Sequence, residues 1–350
     1  MKAARFHAAE DVRIEEIEEP TPGPGQVKLH NAYAGICGSD LHLYYSPEAA
    51  GVDFDTPHPL TGARPPQVLG HEFSGTVSEL GEGVESVNVG DPVAVWPIYH
   101  CDSCPACEKG LYNTCRQIGF HGLTSNGGGM AEYTIVAAES VYVLPGNVDL
   151  RMGALVEPMA VAWHAVERSG VRAGQSAFIA GAGPIGIGVW FALRARGVEA
   201  IIVSEPSDER RTALAGLGAD ALVDPAGEDV NAAVETYTRG RGVDVAFDAA
   251  GVGPALTSTI TQLTPGGRAV VVAVHERPIE LSPAQLVMDE TAVVGTLAYQ
   301  KSDFDAVIEA MAQGVYRADG WVSEVPLRGV VKAITDLSAG KRMKVLVRVH

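Results

Sequence analysis

Four cysteines, Cys101, Cys104, Cys107 and Cys115, fall within fifteen residues. Their spacing puts four soft ligands on one short lobe, the pattern of a tetrahedral structural zinc with no open position. Such a metal pins a loop and cannot activate a substrate. The competing readings are a disulfide pair or a redox thiol and, less favoured, an iron–sulfur centre; cross-linking is rare in an intracellular chain. A fifth cysteine stands apart in Gly35-Ile36-Cys37-Gly38-Ser39-Asp40-Leu41-His42, which joins a thiol, a hydroxyl and an imidazole. Gly70-His71-Glu72 and Leu155-Val156-Glu157-Pro158 add a histidine and two carboxylates. Three protein ligands and one open position make a catalytic zinc, a Lewis acid toward a bound oxygen. Taken singly, Cys37 and His71 read as readily as core residues, and Glu157 as a helix-start carboxylate.

A second chemistry is written in Gly181-Ala182-Gly183-Pro184-Ile185-Gly186, which follows an apolar run and opens an Ala-rich segment. The first glycine allows a tight turn, the second lets backbone approach a pyrophosphate, and the third permits close helix packing. Helix N-terminal amides then face the anion. Glu205 lies nineteen residues beyond Gly186, where a carboxylate would bond the ribose 2′-hydroxyl of NAD and repel the 2′-phosphate of NADP. Arg210 and Arg211 follow it and could instead attract that phosphate. NAD is the favoured cofactor.

These residues need two kinds of scaffold. From Met1 to about Leu144, short β-like stretches broken by Gly, Pro and Asp predict a strand-rich, barrel-like domain: Val12-Ile17, Val27-Ala34, Ser74-Leu80, Pro92-Trp96, Ala131-Val136 and Val141-Leu144. Near Ala154 the texture changes to strands alternating with helical segments, the form of a parallel sheet with crossover helices. Six strands are expected there, at Ser176-Ala180, Ala200-Ser204, Ala221-Val223, Asp244-Asp248, Arg268-Val274 and Ala292-Thr296, with helices such as Pro184-Arg196 and Asp208-Leu217. Six strands fit an α/β doubly wound nucleotide fold. The tail, with a helix at Asp303-Gln313 and a strand at Val345-Val349, is expected to return to the first domain. The divisions are 1–155, 156–297 and 298–350.

Composition narrows the classes. A chain of 350 residues with 46% hydrophobic and 20% charged residues has the makings of a globular core rather than of disorder. Its net charge of −17 repels phosphate backbones and anionic lipid, which argues against nucleic acid, including a zinc-finger role for the cysteine lobe. No apolar run approaches the roughly 20 residues that span a bilayer, and the first residues lack a signal-peptide pattern. The expectation is a cytoplasmic protein without membrane partners.

The stretch Gly70-His71-Glu72-Phe73-Ser74-Gly75, continuing to Gly81, Gly83 and Val84, resembles the zinc alcohol dehydrogenase signature of the medium-chain dehydrogenase/reductase family. Cys37-x-Ser39-x2-His42, the cysteine lobe and the glycine turn are similar to that family in order and spacing, so the resemblance covers essentially the whole chain. Pro57-His58-Pro59-Leu60-Thr61-Gly62, Ile118-Gly119-Phe120-His121-Gly122 and Gly127-Gly128-Gly129 most resemble its (R,R)-2,3-butanediol branch. The resemblance implies a GroES-like catalytic domain, a Rossmann domain and two zinc ions per chain. Cys37, His71 and Glu157 would bind the catalytic zinc, with Glu72 the competing carboxylate that binds in its stead or orients the zinc water. Ser39 would take the proton of a secondary alcohol and His42 would pass it to solvent, while hydride goes to NAD. The substrate would be a vicinal diol, oxidised to a hydroxyketone such as acetoin, with Phe120 and His121 lining the pocket. Sorbitol-like polyols or L-threonine are the alternative substrates, and a non-catalytic zinc and nucleotide binder is the alternative class. The family's assembly is a homodimer or homotetramer.

Overall fold

The structure, a computed structural model, describes residues 1–48 and 55–350. In chain order come β1 (Lys2–Ala8), β2 (Asp11–Glu16), β3 (Gln26–Ile36), α1 (Gly38–Tyr45), β4 (Gln67–Val68), β5 (Glu72–Leu80), β6 (Pro92–Val95), β7 (Ile98–Tyr99), β8 (Gly119–Phe120), β9 (Tyr133–Ala137) and β10 (Val141–Val143). Two helices follow, α2 (Leu150–Gly153) and α3 (Val156–Ser169). Then β11 (Ser176–Ala180), α4 (Pro184–Ala195), β12 (Ala200–Ser204), α5 (Asp208–Leu217), β13 (Ala221–Val223), α6 (Val230–Thr238) and β14 (Val243–Asp248) alternate. The series continues through α7 (Gly253–Thr261), β15 (Leu263–Val271), α8 (Pro283–Met288) and β16 (Ala292–Gly295). It closes with α9 (Lys301–Ala312), β17 (Val322–Pro326), α10 (Val330–Ser338) and β18 (Lys344–Arg348).

The chain divides into two compact units. One holds Met1–Glu157, Gln300–Gln313 and Val322–His350; the other holds Pro158–Tyr299 and Gly314–Trp321. The segment Gly314–Trp321 therefore interrupts the tail that the sequence assigns whole to the first domain. Its anchors explain this: the Tyr316 ring packs 5.3 Å from that of Phe191, and Arg317 donates to the Leu217 carbonyl.

In the first unit, β3 is the organising strand. It pairs antiparallel with β5 along most of its length, with β9 over Gln26 to His30, and with β18 over Tyr33 to Ile36. These neighbours put β3 in the interior of its sheet, and Val27, Leu29, Ala32, Ala34 and Ile36 along it are all buried. Phe6, Leu29, Phe73, Met130 and Val345 share its core. β17 and β18 complete the sheet in parallel register, so the C-terminal segment is structural material for the N-terminal domain.

The second unit is a six-stranded parallel sheet in the order β13-β12-β11-β14-β15-β16. This is the doubly wound arrangement, and the order reverses between β11 and β14. Its strands are nearly continuous apolar runs, as strands covered by helices on both faces require. α4 starts with Pro184 in its first turn and Gly183 at its cap, with no side chain capping the first amides. Among the described residues, no helix is long and apolar enough to cross a membrane.

Candidate active site

In the cysteine lobe, Cys101, Cys104, Cys107 and Cys115 bring their sulfurs within 4.8 Å of one another. Closest approaches run from 3.6 Å between Cys104 and Cys107 to 4.0 Å between Cys104 and Cys115. A disulfide needs about 2.05 Å. A tetrahedron with Zn–S legs of about 2.3 Å has edges of about 3.8 Å, so the four sulfurs fit a structural zinc. Backbone amides of Cys101 and Gln117 point at Cys115 Sγ, donors suited to thiolate. The amides of Arg116 and Cys107 pull the Cys104 thiol down to about 6, while burial pushes Cys107 up to about 12.

The second cluster joins Cys37, His71 and Glu72, whose ligand atoms lie within 4.8 Å of one another. Cys37 caps α1 just after β3, and His71 and Glu72 enter β5 beside it. Glu72 sits opposite Gly35 in the β3–β5 register, and a Cβ on Gly35 would run into Glu72 Oε2. The missing side chain is what lets the carboxylate lie over the strand.

Charge balance in this pocket suits a divalent cation. Among the described residues, His71 Nδ1, Asp40 Oδ1 and Glu72 Oε1 are buried with no hydrogen-bond partner, and the first two face each other at 3.9 Å. Burial alone would lower the His71 pKa, but a hydrogen bond to Cys37 and the charges of Asp40, Cys37 and Glu157 push it up to about 10. Surroundings that draw a proton onto an enclosed imidazole are net negative and short of a positive charge. A carboxylate behind a metal-ligating histidine is also the usual orienting partner, the place Asp40 occupies. These residues fit a zinc.

Glu157, on the first turn of α3, is buried and acts on both His71 and Lys344 by its charge, but it is not part of the 4.8 Å group. Among the described residues the carboxylate in that group is Glu72, whereas the sequence puts Glu157 first. Ser39 and His42 are exposed and three residues apart on α1, hence on one face, with Ser39 Oγ 3.8 Å from Cys37 Sγ. Phe120 meets the His71 ring edge-on at 6.3 Å between centroids, which places it at the rim. His121, expected to line the pocket, is held in the interior. It is buried, bonded to Tyr99 Oη and Thr134 Oγ1, and stacked on Phe73.

Two further residues have roles that the sequence alone does not signal. Asp40 also accepts from the Cys37 amide at 2.8 Å, fixing the start of α1. Lys344 is enclosed, donates to the Ile36 carbonyl at 3.1 Å and pairs with Glu72. Its one available signal is a lysine heading the apolar run Val345-Leu346-Val347.

In the second unit, Gly181 has φ 106° and Gly186 lies so close that a Cβ there would meet the Gly181 carbonyl oxygen. The uncapped amides of α4 open at this turn, beside Pro184 and Ile185. Glu205 is buried at the end of β12 and accepts from the Ala182 amide at 2.8 Å and the Ser207 amide at 2.9 Å. Arg210 lies beside it, 3.6 Å away and next to Gly183. Arg211 turns aside to the Glu205 and Pro206 carbonyls, Asp208 and Asp224. A cavity of about 470 Å³ in this unit lies at the opposite, amino edge of the sheet, near Ser176, Ala200 and Asp244.

Residues 23–146 match the alcohol dehydrogenase GroES-like domain and residues 184–313 the zinc-binding dehydrogenase domain. The chain is a zinc-dependent medium-chain dehydrogenase. This dehydrogenase is 43% identical over 324 residues to an (R,R)-butanediol dehydrogenase of Bacillus subtilis, covering 93% of this chain and 92% of that one. A crystal structure of 2R,3R-butanediol dehydrogenase from Bacillus subtilis superposes with TM-score 0.92 at 42% identity, over 100% of this chain and 99% of the other. An L-threonine 3-dehydrogenase of Pyrococcus furiosus is 36% identical over 294 residues, 84% of this chain and 80% of that one.

Proposed function

We propose that this dehydrogenase interconverts (R,R)-2,3-butanediol and acetoin with NAD as hydride acceptor and donor. The observation that carries the reading is the Cys37–His71–Glu72 cluster with the Phe120 ring at its rim, in a chain 43% identical to a butanediol dehydrogenase. Zinc held by Cys37, His71 and a glutamate would supply Lewis acidity that makes an alcohol proton easy to remove. Glu72 is the nearer carboxylate and Glu157 its alternate, each neutralised in part by Lys344.

The chain's own residues then handle the proton. Ser39 Oγ receives it from the substrate hydroxyl, and His42, on the same exposed face of α1, delivers it to solvent. Asp40 faces His71 Nδ1 at 3.9 Å, where its carboxylate would orient the ring. Phe120 offers an apolar wall to a small methyl-bearing substrate. Cys101, Cys104, Cys107 and Cys115 hold a second, structural zinc.

NAD is favoured over NADP because Glu205 is fixed at the end of β12 and Arg211 is already bonded to neighbouring carbonyls and acids. Copies of the chain associate as a homodimer or homotetramer. The open edge at β16 supports this, since Val274, Val287 and Met288 near it are 76%, 73% and 82% exposed. Unpaired thiols among all five cysteines suit the cytoplasm.

The decisive experiment is NADH formation by the purified protein on enantiopure 2,3-butanediols, beside sorbitol and L-threonine. Strong preference for the (R,R) diol is expected. Turnover of sorbitol or L-threonine alone would keep the metal and dinucleotide chemistry and reject the diol.

A further inference from the structure

Asp248, the last residue of β14, is fully buried and carries a local network. Its Oδ1 accepts from the amides of Ala250 and Gly251, each at 3.1 Å, and its Oδ2 accepts from His275 Nε2 at 2.5 Å. The Asp248 carbonyl also accepts from the amides of Val272 and Ala273, both at 3.0 Å. One residue thus ties the loop after β14 to the segment after β15.

The place of this knot gives it meaning. β14 neighbours β11, where strand order reverses, and the Ala249 amide donates to the Ala180 carbonyl immediately before the glycine turn. Ligands of open α/β sheets bind at the carboxyl ends of the strands at this reversal. Glu205 marks the adenosine-ribose side on β12, and the turn after β11 takes the pyrophosphate. β14 and β15 lie on the far side of β11, so their carboxyl ends face the remaining half of a dinucleotide, the nicotinamide riboside.

A buried carboxylate decides which nitrogen of its imidazole partner bears the proton. Nε2 faces Asp248 and donates to it, which leaves Nδ1 as the ring nitrogen turned away from the carboxylate. Among the described residues Nδ1 has no hydrogen-bond partner, and the His275 side chain is 14% exposed. Val252 and Val274, 54% and 76% exposed, stand on the two segments that Asp248 joins. A ring nitrogen on a segment that also exposes an apolar side chain suits a flat heterocycle with amide and hydroxyl donors.

We propose that His275 is a cofactor-binding residue whose Nδ1 accepts a hydrogen bond from the carboxamide or ribose of the nicotinamide half, with Asp248 as its positioning residue. The inference rests on the reading of this chain as dinucleotide-dependent. Calorimetric titration with NADH and with ADP-ribose, which lacks the nicotinamide, tests it. His275→Gln keeps a donor to Asp248 and removes the second ring nitrogen. It should weaken NADH about five- to tenfold and leave ADP-ribose within about twofold. Asp248→Asn keeps an oxygen for the two loop amides but presents an NH2 to Nε2, which moves the ring proton to Nδ1. The same selective loss of NADH is expected. Unchanged NADH affinity in both variants overturns the proposal, and so does a parallel loss of both ligands in variants whose Tm matches the parent. If the parent protein binds neither NADH nor ADP-ribose, the dinucleotide reading itself falls.

Discussion

Lys344 and Glu72 meet across β3, over Gly35, and form an ion pair with 3% and 1% of their side chains exposed. Burial opposes the charge on Lys344, but Glu72 and the other anions outweigh it and raise the pKa above 10.5. A folded value above the unfolded one means the pair's stability is complete below about 10.5 and is lost only as pH climbs through the folded value. Lys344→Met leaves a carboxylate buried without its ammonium, so urea unfolding at neutral pH should show a loss of about 3–5 kcal/mol. A loss below about 1 kcal/mol would assign Glu72's charge balance to the metal alone.

His121 carries a different pH signature. Burial lowers its pKa from 6.5 to about 4. The unfolded chain therefore binds a proton that the folded one refuses, and stability present above 6.5 declines as pH falls toward 4. The term amounts to about 3 kcal/mol across that range. The urea midpoint should fall less between pH 7 and pH 4.5 in His121→Gln than in the parent. Equal slopes would mean that His121 keeps an ordinary pKa.

In the cysteine lobe, Cys104→Ser removes one corner of a closed tetrahedron. Metal analysis should find one zinc fewer per chain, with a lower Tm and unchanged relative kcat/KM among diols. Altered diol preference would contradict a purely structural lobe.

Glu205→Ala takes an acceptor from the Ala182 and Ser207 amides along with the charge. We expect kcat/KM with NAD to fall by about tenfold or more and the NADP-to-NAD ratio to rise. A constant ratio would remove Glu205 from cofactor discrimination.

Features that depend on neighbours in the chain are legible in the amino-acid sequence itself. The cysteine lobe and the glycine turn are spacings within one short segment, and β11, β12 and β13 match their expected bounds. Features made by distant partners are not. β15 begins at Leu263, five residues before its expected start, because Pro265-Gly266-Gly267 is absorbed as an irregularity inside the strand instead of ending it. β1 gives no strand signal because Lys2–Ala8 mixes alanine with charged residues, and its burial comes from pairing with β2 and β4. His121 sits inside because Tyr99 and Thr134 arrive from other strands. The choice between Glu72 and Glu157 needs Gly35 and Lys344, neither of which announces its role locally.

The ion pair between Glu72 and Lys344 spans 272 residues of chain. At about 5–20 residues per second, a ribosome needs roughly 15 to 55 s to make that stretch. The parallel sheet between them is contiguous and can fold during this interval, while β3 and β5 wait for β18. The catalytic pocket is thus among the last parts of the newborn protein to acquire its final charge balance, and a prematurely terminated polypeptide would carry Cys37 and His71 beside an unneutralised Glu72.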